Sequence, residues 1–180
     1  MTRFFLVGCG GMGFWTAVGL LAQGHRVAVC DNDTTEGTGG TRLPDFRPFG
    51  WKPMYKVELL RALNPHNDHL TTYMARFEEL DESEYANADY IVDTTDADNH
   101  ARGVIKNAAG DKYIRASYDV VGQRLIVVIA RGLGFGREIG GYTNSPSAAH
   151  AQAAGGLVAS LLTRIAAGEA ITLPWKLEVQ

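Results

Sequence analysis

Residues 3–31 read RFFLV-GCGGMG-FWTAVGLLAQG-HRVAVCD, and this stretch decides the fold. Arg3–Val7 is a short apolar run that ends in glycine, the pattern of a buried strand. From Gly11 to Gln23 the apolar residues Met12, Trp15, Val18, Leu21 and Ala22 recur at a helical period, and Gly24 closes the helix. His25–Cys30 is a second strand. Strand, glycine turn, helix and strand within about thirty residues form a βαβ unit with parallel strands. The turn itself, Gly8-Cys9-Gly10-Gly11-Met12-Gly13, is a G-x-G-x-x-G loop. Glycines let the backbone approach phosphate closely, and the helix that follows offers free N–H groups and a partial positive charge. Asp31 follows at the end of the second strand, about twenty residues on, where an acid binds ribose hydroxyls. The expectation is an adenine nucleotide over the loop that starts at Gly8.

Working outward, Asn32–Gly50 is turn-rich, and a loop of that length in a compact domain tends to be functional. Pro53 is expected to open a helix that runs to Leu63, ended by Asn64-Pro65. His69–Phe77 alternates as a strand, and the acidic run Glu78–Glu84 is expected to be a short, solvated helix. Tyr90–Thr94 reads as another buried strand, followed by a helix from about Asp98 to Ala109. Two more strands, Tyr113–Tyr118 and Arg124–Ala130, precede a glycine-rich stretch at Gly132–Gly141. An alanine-rich helix, Ser147–Ala167, leads to a last strand, Ile171–Val179. The fold class is therefore α/β: a Rossmann-like, mostly parallel sheet flanked by helices, with antiparallel strands possible near the C-terminus. With 180 residues and no repeat or linker, residues 1–180 read as a single domain.

Composition narrows the function classes. A formal net charge of -3 argues against a general nucleic-acid binder, which carries a basic stripe. No stretch approaches the ~20 apolar residues of a membrane span. The first strand starts within a few residues of Met1, leaving no room for a signal peptide, and the expected compartment is cytoplasmic. Cys9 and Cys30 form no metal-type pair and read as small buried hydrophobes. The five histidines, His25, His66, His69, His100 and His150, show no ligand spacing. Ser145 and Ser147 flank Pro146 at a helix start, where capping is the expected role. Trp15 and Trp175 read as packing residues, while Trp51 lies near the expected nucleotide loop.

The residues beyond the glycine loop do not look like an NAD site. Asp31-Asn32-Asp33 runs into Glu36-Gly37-Thr38-Gly39-Gly40-Thr41-Arg42, with Lys52 and Lys56 beyond it. Asp93-Thr94-Thr95-Asp96 stands at the C-terminal end of a later strand, where open α/β sheets place ligands. An arginine, a lysine and a carboxylate converging on one nucleotide suggest a triphosphate with Mg²⁺.

This order of motifs resembles the ThiF/MoeB family of adenylyltransferases, the fold shared with ubiquitin-activating enzymes. The matching features are the G-x-G-G-x-G loop, Asp31-x-Asp33, Arg42 eleven residues after Asp31, a helix-opening lysine, Asn64-Pro65 and Asp93-x-x-Asp96. The likeness runs from Phe4 to about Arg102 and continues weakly through the Ser147–Ala167 helix. It implies that Gly8, Gly10, Gly11 and Gly13 face the phosphates, that Asp31 faces the ribose, that Asp33 belongs to the same cofactor-binding set, and that Arg42 and a lysine hold phosphate. It implies Mg²⁺ on Asp96. Lys52 keeps the family's distance to Asn64-Pro65 and Lys56 keeps the local Lys-Val-Glu sequence, so both stay candidates. The implied partner is a ubiquitin-like or sulfur-carrier protein or a small carboxylate, activated as an acyl-adenylate by a homodimer.

Departures from the family pattern qualify that expectation. Gly39 stands where the family has an asparagine. The family's N-terminal helix, which sends an arginine into the partner's site, is not seen before the first strand, leaving Arg47, Arg102 or Arg137 as substitutes. There are no zinc-type cysteine pairs, so no structural zinc is expected. No cysteine follows Cys30, so the expected activity stops at the adenylate. The segment Gly132–Gly141 stands where relatives carry a loop that guides a protein tail. Two other readings stay open: a non-catalytic nucleotide-binding scaffold of this fold, and an NAD(P)-dependent oxidoreductase.

Overall fold

The computed structural model describes residues 1–36, 43, 53–96, 99–121, 124–131 and 147–179. Their strands are β1 (Arg3–Val7), β2 (Arg26–Cys30), β3 (Leu70–Tyr73), β4 (Tyr90–Asp93), β5 (Tyr113–Val121), β6 (Arg124–Ala130) and β7 (Trp175–Val179). The α-helices are α1 (Gly11–Ala22), α2 (Lys56–Leu63), α3 (Glu82–Tyr85), α4 (Asn99–Ala109) and α5 (Ala148–Ala166). The strands form one sheet in the order β3-β2-β1-β4-β5-β6-β7. β3, β2, β1, β4 and β5 pair in parallel, and β6 and β7 add antiparallel to β5. The α/β class and the antiparallel C-terminal strands are as expected.

Alternation along the strands explains the layers, because successive side chains point to opposite faces. Phe4 and Leu6 of β1, Val27 and Val29 of β2, and Leu125, Val127 and Ile129 of β6 belong to one core with α1, α2 and α5. Phe5 and Val7 of β1, Cys30 of β2 and Ile91 of β4 belong to a second core with Ile105 and Ala109 of α4. Both faces of the parallel part are therefore buried, as a parallel sheet requires.

Small residues set the closest helix contact. A Cβ on Gly155 would lie 2.4 Å from Trp15 Cβ and 2.8 Å from the Thr16 backbone nitrogen, and one on Gly19 would lie 2.6 Å from Ala159 Cβ. These positions let α1 and α5 approach closely beneath the sheet. A mid-helix alanine gains about 1 kcal/mol in propensity over glycine, whereas overpacking costs about 1–3 kcal/mol. At Gly155 the obstacle includes backbone, so overpacking wins. Gly155→Ala is expected to lower the melting temperature by several degrees. The neighbouring Gly156→Ala, with nothing within 4 Å of its Cβ, is expected to raise it slightly. Thermal melts of the two variants check this directly.

Several boundaries differ from the sequence reading. The second helix starts at Lys56 rather than Pro53, because Tyr55 is extended and bridges Thr34. Glu58 Oε2 then accepts the Tyr55 backbone N–H at 3.1 Å and closes that helix start. β3 stops at Tyr73, and Phe77 instead opens a short 3₁₀ turn with its ring buried. The acidic run splits between that turn and α3. β7 begins at Trp175, since only Trp175–Val179 finds register partners on β6. Other signals read correctly. Gly24 has φ +78° just past α1, Asn64 caps α2, and Ser147 caps α5 by accepting the His150 backbone N–H at 3.5 Å. Trp15 and Trp175 pack, half-buried, against the core. Among the described residues, no helix is long and apolar enough to cross a membrane.

Candidate functional site

The strand order reverses between β1 and β4: the chain moves outward from β1 to β2 and β3, then returns to β4 on the other side. Open α/β sheets bind ligands at such a switch point, outside the carboxyl ends of the strands. A cleft of about 590 Å³ lies there, within the usual range of small-molecule sites. Gly8, Gly10 and Gly11 line it from the loop after β1, Asp31 and Asp33 from the end of β2, and Thr94–Asp96 from the end of β4.

The glycine loop is shaped by close approach. Gly8 has φ +95°, a left-handed value that favours glycine. Gly13 has no room for a side chain, since its Cβ would lie 2.0 Å from the Gly8 carbonyl oxygen and 2.5 Å from Thr94 Oγ1. Gly13 is thus needed for helix–strand packing and is not among the cleft-lining residues, unlike the other three glycines. Gly10 is the N-cap of α1, and no side chain caps that end. A Cβ there would meet nothing within 4 Å. The loop therefore presents the start of a 12-residue helix to the cleft, a setting suited to an anion.

Asp31 is anchored by the backbone around it. Its Oδ2 accepts the Cys9 N–H at 2.6 Å, and its Oδ1 accepts the Asp33 N–H at 2.7 Å. Each carboxylate oxygen keeps a second lone pair for a donor such as a ribose hydroxyl. Lys56, at the first position of α2, is buried at its side chain, and its Nζ donates to Asp33 Oδ2 at 2.8 Å. Lys56 reaches the cleft. Its ammonium has three donors, so the Asp33 bond leaves two for a ligand. Asp96 is exposed at the cleft wall, while Asp93 is fully buried and accepts the Tyr113 hydroxyl of β5 at 2.9 Å.

Arg42, Lys52, Gly39, Trp51, Arg47, Arg137, Ser145 and the Gly132–Gly141 segment lie outside the described residues. Arg102 is buried in α4, with its charge acting on Tyr113, which does not suit an arm reaching outward into a partner. The sequence reading gave no role to Arg76, Glu78, Ser117 or Tyr118, which also line the cleft. Arg76 and Glu78 escaped because the β3 reading ran through Phe77; placing the strand's carboxyl end at Tyr73 would have exposed them.

Cys9 and Cys30 are buried free thiols. Burial, then the Asp31 charge, pushes the Cys9 thiol well up, and the same two causes push Cys30 up to about 12. Neither supplies a thiolate nucleophile near neutral pH.

Charge decides what the cleft can hold. Its described lining carries four acids (Asp31, Asp33, Glu78, Asp96) against two bases (Lys56, Arg76). A triphosphate entering such a site needs added positive charge. Among the described residues, no three His, Cys, Asp or Glu side chains group to hold a metal by themselves. The exposed Asp96 carboxylate suits the other arrangement, in which Mg²⁺ takes one or two carboxylates and draws its remaining ligands from phosphate and water. The donor chemistry fits a Mg²⁺–nucleotide.

No protein-family model and no curated protein matches the chain. Solved structures do. E. coli MccB in complex with AMPCPP and MccA matches with a TM-score of 0.66 and 18% identity, over 99% of this chain and 60% of MccB. E. coli MccB with ATP matches with a TM-score of 0.65 and 17% identity, over the same shares. PaaA matches with a TM-score of 0.64 and 16% identity, over 100% of this chain and 73% of PaaA. The chain thus spans about 60% of the length of MccB. At these identities the likeness shows the fold alone, one that this chain shares with MccB and PaaA.

Proposed function

We propose that the chain is an ATP-dependent adenylyltransferase that activates a carboxylate as its acyl-adenylate. The observation that carries this reading is the convergence of the uncapped glycine loop, Asp31, Lys56 and Asp96 in one cleft at the sheet's switch point. MccB, which shares the fold, has been solved with ATP and with AMPCPP and MccA, which supports a nucleotide as the ligand of this chain.

In the proposed reaction a carboxylate oxygen attacks the α-phosphorus of ATP. The bond from that phosphorus to the α–β bridging oxygen breaks, and pyrophosphate leaves with the electron pair. No proton needs to move. The protein's part is positioning and charge stabilisation. Asp31, with Asp33 beside it, would accept from the ribose. Gly8, Gly10 and Gly11 would let the phosphates approach the α1 N-terminus, with Gly13 shaping the loop. Lys56, or Lys52 in its place, would neutralise phosphate oxygens together with Arg42. Asp96 would hold Mg²⁺, which supplies Lewis-acid stabilisation of the phosphates when bound. The carboxylate would be the C-terminal glycine of a ubiquitin-like or sulfur-carrier protein, or a small acid, and the enzyme a homodimer.

Carboxylate-dependent exchange of labelled pyrophosphate into ATP tests the reading. Exchange with one class of carboxylate, and none without it, is the expected result. Nucleotide binding with no exchange under any carboxylate would instead establish a non-catalytic scaffold.

A further inference from the structure

The Asp93–Asp96 stretch carries one cleft-facing acid, and its other three residues are each held by several hydrogen bonds. Asp93 ends β4 and is fully buried. A buried carboxylate must find partners. Its Oδ1 accepts the Thr95 backbone N–H at 2.9 Å and the Thr95 hydroxyl at 2.7 Å, and its Oδ2 accepts the Tyr113 hydroxyl at 2.9 Å. Tyr113 opens β5 and is itself buried. Burial and then the Asp93 charge raise its pKa, which keeps the hydroxyl protonated as a donor. Arg115, the parallel register partner of Asp93, is also buried and adds positive charge beside this group.

Thr94 is held as firmly on its other side. Its N–H donates to the Val7 carbonyl at 3.0 Å, and its hydroxyl lies 3.0 Å from both the Val7 and Gly8 carbonyl oxygens. Residues 94 and 95 are each fixed through backbone and side chain, one to the glycine loop and one to the sheet. Asp96 comes next in the chain, exposed at the cleft.

We propose that the Thr95–Asp93–Tyr113 hydrogen-bond network is a positioning device that fixes the turn presenting Asp96 to the metal–nucleotide complex. The proposal rests on the adenylyltransferase reading for its ligand. Its physical basis is preorganisation: a ligand carboxylate on an unpinned turn must be ordered at the moment of binding, and that cost weakens the site. Partners behind a metal ligand commonly change metal affinity by about 10- to 100-fold. Thr95 and Tyr113 are positioning residues here, acting through the turn.

Thr95→Val removes the hydroxyl and keeps the shape, Thr95→Ser keeps the hydroxyl, and Tyr113→Phe removes the second donor. Three readouts are compared: the Mg²⁺ concentration giving half-maximal ATP binding, AMP affinity without Mg²⁺, and amide hydrogen exchange at residues 94–96 in the ligand-free protein. Thr95→Val and Tyr113→Phe are expected to raise the Mg²⁺ requirement about 10-fold with AMP affinity unchanged. Exchange at 94–96 is expected to quicken in Thr95→Val, and Thr95→Ser to restore both readouts. An unchanged Mg²⁺ requirement in Thr95→Val, or an equal loss of AMP and Mg-ATP binding, would overturn the proposal. Should the unsubstituted protein bind no Mg-ATP, the adenylyltransferase reading fails separately. Unchanged exchange at 94–96 in Thr95→Val would then overturn the positioning role by itself, and faster exchange would uphold it.

Discussion

Gly13→Ala is expected to lower the melting temperature by roughly 6–12 °C and to abolish nucleotide binding, while Gly10→Ala is expected to fold nearly as well as the parent and bind nucleotide about 10- to 100-fold more weakly. The two glycines stand three residues apart in one loop, but their surroundings differ. A methyl group at Gly13 would sit 2.0 Å from a backbone oxygen, so α1 and the end of β1 would have to move apart. That places the cost at or above the ~3 kcal/mol end of ordinary overpacking. At Gly10 the methyl meets no protein atom within 4 Å and occupies a cleft-lining position instead. The backbone there (φ −70°, ψ −169°) suits alanine, so folding loses only about the difference between glycine and alanine at an N-cap. Phosphate, though, could no longer approach as closely, and hydrogen bonds to a charged group are worth about 1.5–3 kcal/mol each. Thermal melts paired with nucleotide titrations separate the two effects. Equal stability losses in both variants would show that Gly10 serves packing as well.

Asp96→Ala is expected to cut adenylate formation by about 100-fold or more with little change in melting temperature. Its carboxylate is exposed, and Asp93 rather than Asp96 holds the buried hydrogen bonds. Removing it should cost the fold almost nothing, and on the proposed function it would leave the phosphates without their metal contact. Asp93→Ala is the instructive contrast. It strips three hydrogen bonds from a buried position and is expected to damage stability first. Pyrophosphate exchange and melting curves on both variants check the split. Retained exchange in Asp96→Ala would remove this residue from the site.

The parts of the fold that were legible in the sequence are those set by local pattern. The Arg3–Val7 run, the helical period through Leu21 and the glycine cap at Gly24 are short-range signals, and each is found where the residues place it. The strand Arg124–Ala130 was equally legible as an apolar run, buried from Leu125 onward, whereas β5 runs past the expected end at Tyr118 to Val121, through the buried polar Asp119. What the sequence could not show depends on contacts between distant residues. Gly155 looks like a defect in an alanine-rich helix until Trp15 is seen against it. Asp93 looks like half of a metal motif until Tyr113, twenty residues later, accounts for its carboxylate. The Pro53 helix start failed because the bridge between Thr34 and Tyr55 keeps Tyr55 extended, a constraint from a segment nineteen or more residues away. Between the two candidate lysines, the structure puts Lys56 in the cleft and does not describe Lys52.

The proposed function stands on whether this cleft binds a Mg²⁺–ATP complex through Asp96. Calorimetric titration of the purified protein with ATP, with and without Mg²⁺, beside a titration with NAD, addresses it most directly. ATP binding that depends on Mg²⁺, disappears in Asp96→Ala, and exceeds any affinity for NAD is the expected result. Tighter binding of NAD, or ATP binding indifferent to Mg²⁺ and to Asp96, would contradict it.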